Sequence, residues 1–231
     1  MIVEGKALVK KYSENQGLQD VTFSLNEGRI IALAGGNGAG KSTLIRLLIG
    51  EEKQSSGEIC WAGERSISYM PDDINFPTAL TAAEILQLLA GLKKVSAAER
   101  EKVLKRVGLW EYRKQKVSQF SKGMRQRLNL AQSLLGDERL IVLDEPTNGL
   151  DLLWIAELKT ILQEQKQIGR TILFSTHLLS FAEELADDVL LLYEGKVLLE
   201  GSIHTVLDQA KCNHLEELFM KKVGLTKNRN V

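Results

Sequence analysis

"RIIALAGGNGAGKST", residues 29–43, decides the fold. Its first part, "RIIALA" (29–34), is a short aliphatic and β-branched run that ends in glycines, the pattern of a buried strand. Its second part, "GGNGAGKST" (35–43), fits G-x-x-x-x-G-K-[ST], with Gly35, Gly40, Lys41 and Ser42 at the fixed positions. The glycines let the backbone turn tightly, so that successive N–H groups over Gly35, Gly36, Asn37, Gly38, Ala39 and Gly40 point into one concavity. A helix predicted from Lys41, through Ser42 and Thr43, adds its positive dipole end. The result is a phosphate cradle. Lys41 is expected to reach β- and γ-phosphates, and the Ser42 hydroxyl is a hard oxygen ligand suited to Mg²⁺. A glycine-rich turn with no ligand can match the same pattern. The strand before and the helix after it argue for the cradle.

Two more strand ends carry chemistry. In "LIVLDEPTNGLD" (140–151), Asp144 directly follows four aliphatic residues, so its carboxylate emerges at a strand tip, where it could hold Mg²⁺ with Ser42. Glu145 points elsewhere, because neighbouring residues alternate in direction, and is placed to polarise an attacking water. In "TILFSTH" (171–177), His177 follows a buried strand by two residues and could hydrogen-bond a γ-phosphate. Ligand sites in α/β sheets lie beyond the carboxyl ends of the strands, and all three loaded ends obey that rule.

Outward from these motifs, apolar alternation near 2–10 and 20–25 reads as strands, as do "SSGEICWAGE" (55–64) and "SISYM" (66–70). From about 79 to 138 no good strand appears. Thr81-x-x-Glu84 and Ser96-x-x-Glu99 are capping-box patterns ahead of helical sequence, so this stretch is expected to be an inserted helical subdomain. A helix over 152–168 carries Ile155, Leu158, Ile161, Leu162 and Ile168 near helical spacing and closes at Gly169. Residues 178–186 are helix-like, and "DVLLLYEGKVLLEG" (188–201) reads as a hairpin turning at Glu194-Gly195. A C-terminal helix and tail occupy about 212–231, with "KNRNV" loose. The expected architecture is α/β: one domain over 1–231, with a mainly parallel sheet, an N-terminal antiparallel β-subdomain and the helical insert.

Composition narrows the function classes. Thirty basic residues balance thirty acidic ones, which disfavours nucleic acid as a partner. Two cysteines, Cys60 and Cys212, cannot make a disulfide framework, and Cys212 with His214 is at most half a metal site. The sequence shows no signal-peptide core and no run of about 18 apolar residues. A cytoplasmic chain in a reducing compartment is expected, with any membrane role acting through a partner.

One motif has no local explanation. "FSKGMRQR" (120–127) places a small residue, a lysine and a glycine at the start of a basic helical run, a second anion receptor far from the first. In this order and at these intervals, the cradle 35–43, "FSKGM" (120–124), "LIVLDE" (140–145), "NGLD" (148–151) and His177 resemble the nucleotide-binding domains of ABC transporters over nearly the whole chain.

The resemblance implies an ATPase using ATP and Mg²⁺, working as a head-to-tail dimer with a second copy of itself or a homologous ATPase chain. Each ATP sits on one cradle and is capped by the partner's signature loop, here Ser121, Lys122, Gly123 and Met124, with Ser121 and Gly123 binding the γ-phosphate. Tyr12 matches the aromatic that stacks on adenine, and base stacking is worth roughly 1–3 kcal/mol. An exposed strand-end tyrosine is the plainer reading of the same residue. Asp151 matches the aspartate at the dimer interface and also suits a helix N-cap.

The chain departs from the family pattern in four places. Lys122 and Met124 replace a glycine and a glutamine of the signature, and Lys122 could add charge near phosphate or face solvent. Asp72 stands where a glutamine usually touches Mg²⁺ and the membrane partner. Gly36 replaces a common proline, and Asn148-Gly149 gives a variant dimer loop. A separate transmembrane permease is expected to dock near residues 70–80, with Phe76 and Leu80 as contacts or as local core. "SKGMRQR", "PDD" and "HLEELFMKK" resemble the branch that drives export-type permeases, in drug or bacteriocin resistance, sodium export or haem-related export. A soluble ABC-type ATPase, or a regulatory ATP-binding half of a heterodimer, are the alternatives.

Overall fold

The computed structural model describes residues 1–13 and 16–224. The "KNRNV" tail lies outside the described residues. In chain order the elements are β1 (Val3–Ser13), β2 (Gln16–Leu25), β3 (Ile30–Ala34), α1 (Lys41–Ile49), β4 (Ser56–Trp61), β5 (Ile67–Met70), α2 (Ala82–Lys93), α3 (Ala97–Arg106), α4 (Lys122–Leu134), β6 (Leu140–Leu143), α5 (Leu152–Gln167), β7 (Thr171–Thr176), α6 (Leu179–Leu185), β8 (Asp188–Tyr193), β9 (Lys196–Ser202), α7 (Ile203–Ala210) and α8 (Leu215–Lys222). They form two compact units, Met1–Arg65 with the chain from Thr171 onward, and Ser66–Arg170.

In the first unit, β3 runs parallel to β7 on one side and to β8 on the other, and β9 pairs antiparallel with β8. Every residue of β3 and β7 is buried. A strand covered on both faces has no solvent side to mark with polar residues, which is why "IIALA" and "TILF" are continuous apolar runs. Phe174 of β7 packs edge-on against Phe181 of α6, ring centroids 5.4 Å apart. The β8–β9 hairpin turns at Glu194 and Gly195, with φ of 48° and 75°. Positive φ at both turn residues suits a two-residue hairpin.

A second sheet, ordered β2-β1-β4 and antiparallel throughout, supplies the expected N-terminal β-subdomain. Its buried face carries Val3, Leu8, Leu18, Val21, Phe23 and Leu25. The register slips along β1, where Ala7 adopts φ 50° opposite β2. Such bulges bend and twist the strand, and β1 runs on to Ser13, three residues beyond its apolar alternation.

In the second unit, β5 and β6 pair in parallel, and α2, α3 and α4 contact one another. Thr81 opens α2 with a full capping box, its hydroxyl accepting from Glu84 N while Glu84 Oε2 accepts from Thr81 N at 2.8 Å. The second box is only half made. Ser96 Oγ accepts from Glu99 N at 3.2 Å, but the Glu99 carboxylate accepts from Gly136 N, tying α3 to the chain after α4. Helix α5 buries Leu158, Ile161 and Leu162, whereas Ile168 stands past its end, exposed. Phe76 is buried, so of its two expected roles it fills the core one, and Leu80 is half-buried.

Candidate functional site

The glycine loop starts where β3 ends. Gly35 N donates to Thr176 O at the tip of β7, and Gly195 N donates to Ala39 O, so both ends of the loop are pinned. Gly35, Gly38 and Gly40 adopt φ of 150°, 77° and 106°. A Cβ on Gly35 would lie 2.5 Å from the Leu192 carbonyl oxygen, and one on Gly40 would lie 2.6 Å from Leu18 Cδ2. Gly36 takes neither a positive φ nor any contact within 4 Å of such a Cβ. The motif glycines are therefore required by geometry, while the variable position is open.

Helix α1 begins at Lys41 with no side-chain cap at Gly40 and no acidic residue in its first turn. First-turn N–H groups have no intrahelical partners and carry the positive end of the helix dipole. Lys41 adds a positive charge there. It is buried, and its Nζ donates to Gly35 O at 2.8 Å and Gly36 O at 3.3 Å, which holds the ammonium over the loop. Ser42 is exposed and Thr43 is buried. An uncapped helix start, a lysine and a glycine cradle fit a polyphosphate, and the exposed Ser42 hydroxyl fits a hard cation bound with it.

The same unit places His177, exposed, directly after β7 and one residue beyond the Thr176 carbonyl that Gly35 holds. Tyr12 lies near the end of β1 with 47% of its surface open. Its hydroxyl donates to Glu52 Oε2 at 2.6 Å, and Arg46 Nη2 donates to the Tyr12 oxygen at 3.3 Å. These partners lie 40 and 34 residues away in the chain, with no local pattern to mark them.

In the second unit, Asp144 is buried at the tip of β6, and its N–H donates to Met70 O at 2.8 Å. Glu145 is half-buried and adopts φ 45°. Left-handed backbone in a non-glycine residue costs on the order of 1–3 kcal/mol and persists only where its surroundings hold it. Here Asn148 N donates to Glu145 O at 3.1 Å, and Gln126 Nε2 of α4 reaches the Glu145 and Pro146 carbonyls.

Ser121 caps α4, accepting from Met124 N at 3.1 Å. Its hydroxyl proton stays available for donation. A Cβ on Gly123 would lie 3.1 Å from Gly149 O, and one on Gly149 would lie 2.8 Å from Lys122 Cγ. The Lys122 stem therefore lies over the "NGLD" loop, and the residue as a whole is exposed. Met124 is half-buried. Asp72 Oδ1 accepts from Asn148 Nδ2 at 2.6 Å, so one oxygen of this expected Mg²⁺ ligand is committed to the same loop. Asp72, Asp73, Lys122, Arg125, Gln126 and Asn148 line a polar cavity of about 400 Å³. Asp151 caps α5, accepting from Trp154 N at 2.9 Å, and is followed by Leu152 and Leu153, at 84% and 80% exposure.

Cys212 and His214 do not face one metal. Lys221 Nζ donates to Cys212 Sγ at 3.2 Å, while His214 Nδ1 pairs with Glu183 at 2.9 Å.

A family model described as "ABC transporter" matches residues 18–148. The lantibiotic transport ATP-binding protein SrtF of Streptococcus pyogenes is 37% identical over 229 residues, covering 96% of this chain and 97% of its own. The bacitracin transport ATP-binding protein BcrA of Bacillus licheniformis is 38% identical over 213 residues, 86% of this chain and 69% of its own. A solved ATP-binding subunit of an ABC transporter matches with a TM-score of 0.88 at 33% identity, covering 96% of this chain and all of that one.

Proposed function

The chain belongs to the ABC transporter family as an Mg²⁺-dependent, ATP-hydrolysing subunit, and on that premise we propose that it drives export of peptide-type antimicrobial compounds through a separate membrane permease. The observation that carries the ATPase reading furthest is the buried Lys41 ammonium held over an uncapped α1 start by the Gly35 and Gly36 carbonyls. Lantibiotics and bacitracin, named for two relatives, support the substrate class.

Residues 35–43 and Lys41 hold the phosphates, and Tyr12 stacks on adenine. Ser42, Asp144 and Asp72 are the residues assigned to Mg²⁺, which when bound neutralises phosphate charge. Glu145 orients the attacking water and accepts its proton, giving ADP and inorganic phosphate, and His177 hydrogen-bonds the γ-phosphate. Positioning and electrostatics supply most of the catalysis in such transfers.

Ser121 and Gly123, flanked by Lys122 and Met124, bind the γ-phosphate held by a second copy or a homologous chain, and Asp151 lies at that dimer interface. ATP then joins the two subunits by supplying charge that both halves need, and hydrolysis removes the link. The permease docks near residues 70–80, where exposed loop residues and half-buried Leu80 are the candidates, since Phe76 is inside. No helix among the described residues is long and apolar enough to cross a membrane, and attachment to the cytoplasmic face runs through the permease. Within a single ABC domain over 1–231, the helical insert spans about 79–138 and the C-terminal helix and tail about 212–231.

Phosphate release from Mg-ATP tests the catalytic part. Glu145→Gln is expected to lower turnover by roughly 10²- to 10⁴-fold, the usual contribution of a general base, and to trap an ATP-bound dimer. Unchanged hydrolysis removes Glu145 from the role. A polytopic membrane protein co-purifying in stoichiometric amount from gently solubilised membranes tests the permease.

A further inference from the structure

Although about half of the Tyr12 surface is open, its hydroxyl is held by two neighbours. It donates to Glu52 Oε2 at 2.6 Å and accepts from Arg46 Nη2 at 3.3 Å. Glu52 is the hub of this cluster. Its Oε1 pairs with Arg46 Nε at 3.0 Å and its Oε2 with Lys10 Nζ at 2.9 Å. Lys10 Nζ is itself anchored on Lys53 O at 2.9 Å. The Lys10 ammonium and the Arg46 guanidinium lie 5.2 and 5.9 Å from the Tyr12 ring centroid. These contacts lock a side chain that would otherwise sample several rotamers on the surface.

The lock is referenced to the cradle. Arg46 sits in the last turn of α1, the helix that opens with Lys41, and Glu52 N donates to Arg46 O at 3.2 Å just past its end. The five-residue rise from Lys41 to Arg46 makes a rigid helical spacer of about 7.5 Å. We infer that Glu52 is a positioning residue for the nucleotide base: it holds the Tyr12 ring at a fixed offset from the phosphate cradle, so that base and phosphates are read as one ligand. The inference rests on the reading that Tyr12 stacks on adenine. Ordering the platform before binding removes that entropic cost from the binding step. If Glu52 were only a surface ion-pair partner, it would add little to stability and nothing to recognition of a base.

The test separates base from phosphates. The full chain and its Glu52→Ala, Glu52→Gln, Tyr12→Phe and Tyr12→Ala variants are titrated with Mg-ATP and with Mg-tripolyphosphate, which has no base. Glu52→Ala and Tyr12→Phe are each expected to weaken ATP by roughly three- to tenfold, the range set by the Tyr12–Glu52 hydrogen bond that both remove, with tripolyphosphate unchanged. The double variant Tyr12→Phe/Glu52→Ala is expected to lose less than the sum of the two single losses, because both cut the Tyr12–Glu52 link. For Glu52→Ala, KM for ATP rises while kcat stays level. Glu52→Gln keeps an acceptor for the tyrosine hydroxyl, is expected to fall between wild type and Glu52→Ala, and serves if Glu52→Ala fails to fold.

If Tyr12→Ala weakens ATP while Glu52→Ala and Tyr12→Phe do not, the ring stacks without help from Glu52 and the inference is overturned, with the stacking reading intact. If Tyr12→Ala also leaves ATP binding unchanged, both fall. Equal losses for ATP and tripolyphosphate would place Glu52 in general support of α1 and overturn the positioning role.

Discussion

Two adjacent glycines make opposite demands on the same loop, and one pair of variants measures the difference. At Gly35, φ is 150°, and an added Cβ meets the Leu192 carbonyl oxygen at 2.5 Å and Ala39 Cβ at 2.9 Å. The nearest obstacle is backbone, at the junction of β3 and β8, and cannot swing aside. A residue held in a glycine-only backbone conformation costs about 1–3 kcal/mol, and forcing atoms into a packed region costs about 1–3 kcal/mol more. Gly35→Ala should therefore destabilise the chain by about 2–4 kcal/mol after partial relaxation. For a chain of this size that lowers Tm by roughly 5–15 °C. At Gly36 an added Cβ meets nothing within 4 Å and φ is not positive. Gly36→Ala should then leave stability level or raise it by at most about 1 kcal/mol, through the lower entropy of the unfolded chain. Differential scanning calorimetry in matched buffer gives both numbers. A Gly36→Ala loss as large as that of Gly35→Ala would refute the assignment of strain to Gly35 alone. So would a Gly35→Ala protein melting with the wild type.

The two helix caps of the second unit should respond differently to double substitution. Thr81→Ala and Ser96→Ala are each expected to cost about 1 kcal/mol. Combining Thr81→Ala with Glu84→Ala should be non-additive in chemical denaturation, because those side chains cap one end reciprocally, while Ser96→Ala with Glu99→Ala should be additive, because Glu99 accepts from Gly136 instead. Glu52 also predicts a pH effect. Hydrogen bonds from the Tyr12 hydroxyl first and then Lys10 hold its carboxyl below the ordinary glutamate value of 4.5, with burial opposing them and the Lys10 and Arg46 charges assisting. A depressed folded-state pKa gives stability that is present above the unfolded value and lost as pH falls through the folded one. The Tm advantage of wild type over Glu52→Gln should be flat at neutral pH and shrink as pH drops below 4.5, and an advantage that persists in acid would contradict it.

The parts of the fold legible in the sequence are those with local causes. Buried parallel strands are continuous apolar runs, so β3, β6 and β7 were readable directly. The hairpin at Glu194-Gly195 and the Thr81 capping box were readable because their partners are one to three residues apart. The second capping box misled because Glu99 has a competing donor 37 residues away, in the chain after α4. Phe76 carried no periodic context to mark it as core. Of the site residues, the cradle glycines lie in the turn between β3 and α1, and Lys41 Nζ donates to the Gly35 and Gly36 carbonyls. The structure shows Ser121 and Asp151 as helix caps, a role compatible with the phosphate and interface roles proposed for them. The Tyr12–Glu52–Arg46 cluster was invisible because it joins a strand end, a helix end and a loop that only tertiary folding brings together.

The departures from the family pattern looked independent in sequence, and in the second unit three of them are one feature. Asp72 is acceptor-only when ionised, and the group that meets it is the Asn148 amide donor, at 2.6 Å. Lys122 lays its stem across Gly149, where a Cβ would stand 2.8–2.9 Å from three of its methylene carbons, so this lysine in this rotamer requires a glycine there. Asn148 and Gly149 are adjacent, so one short loop receives both substituted side chains, one by hydrogen bond and one by packing. Changing any member alone strands a partner: removing Asn148 leaves Asp72 without its amide, and adding a side chain at Gly149 displaces Lys122. A coupled set of this kind keeps the start of α4 and the 70–80 loop tied to the segment between Glu145 and Asp151.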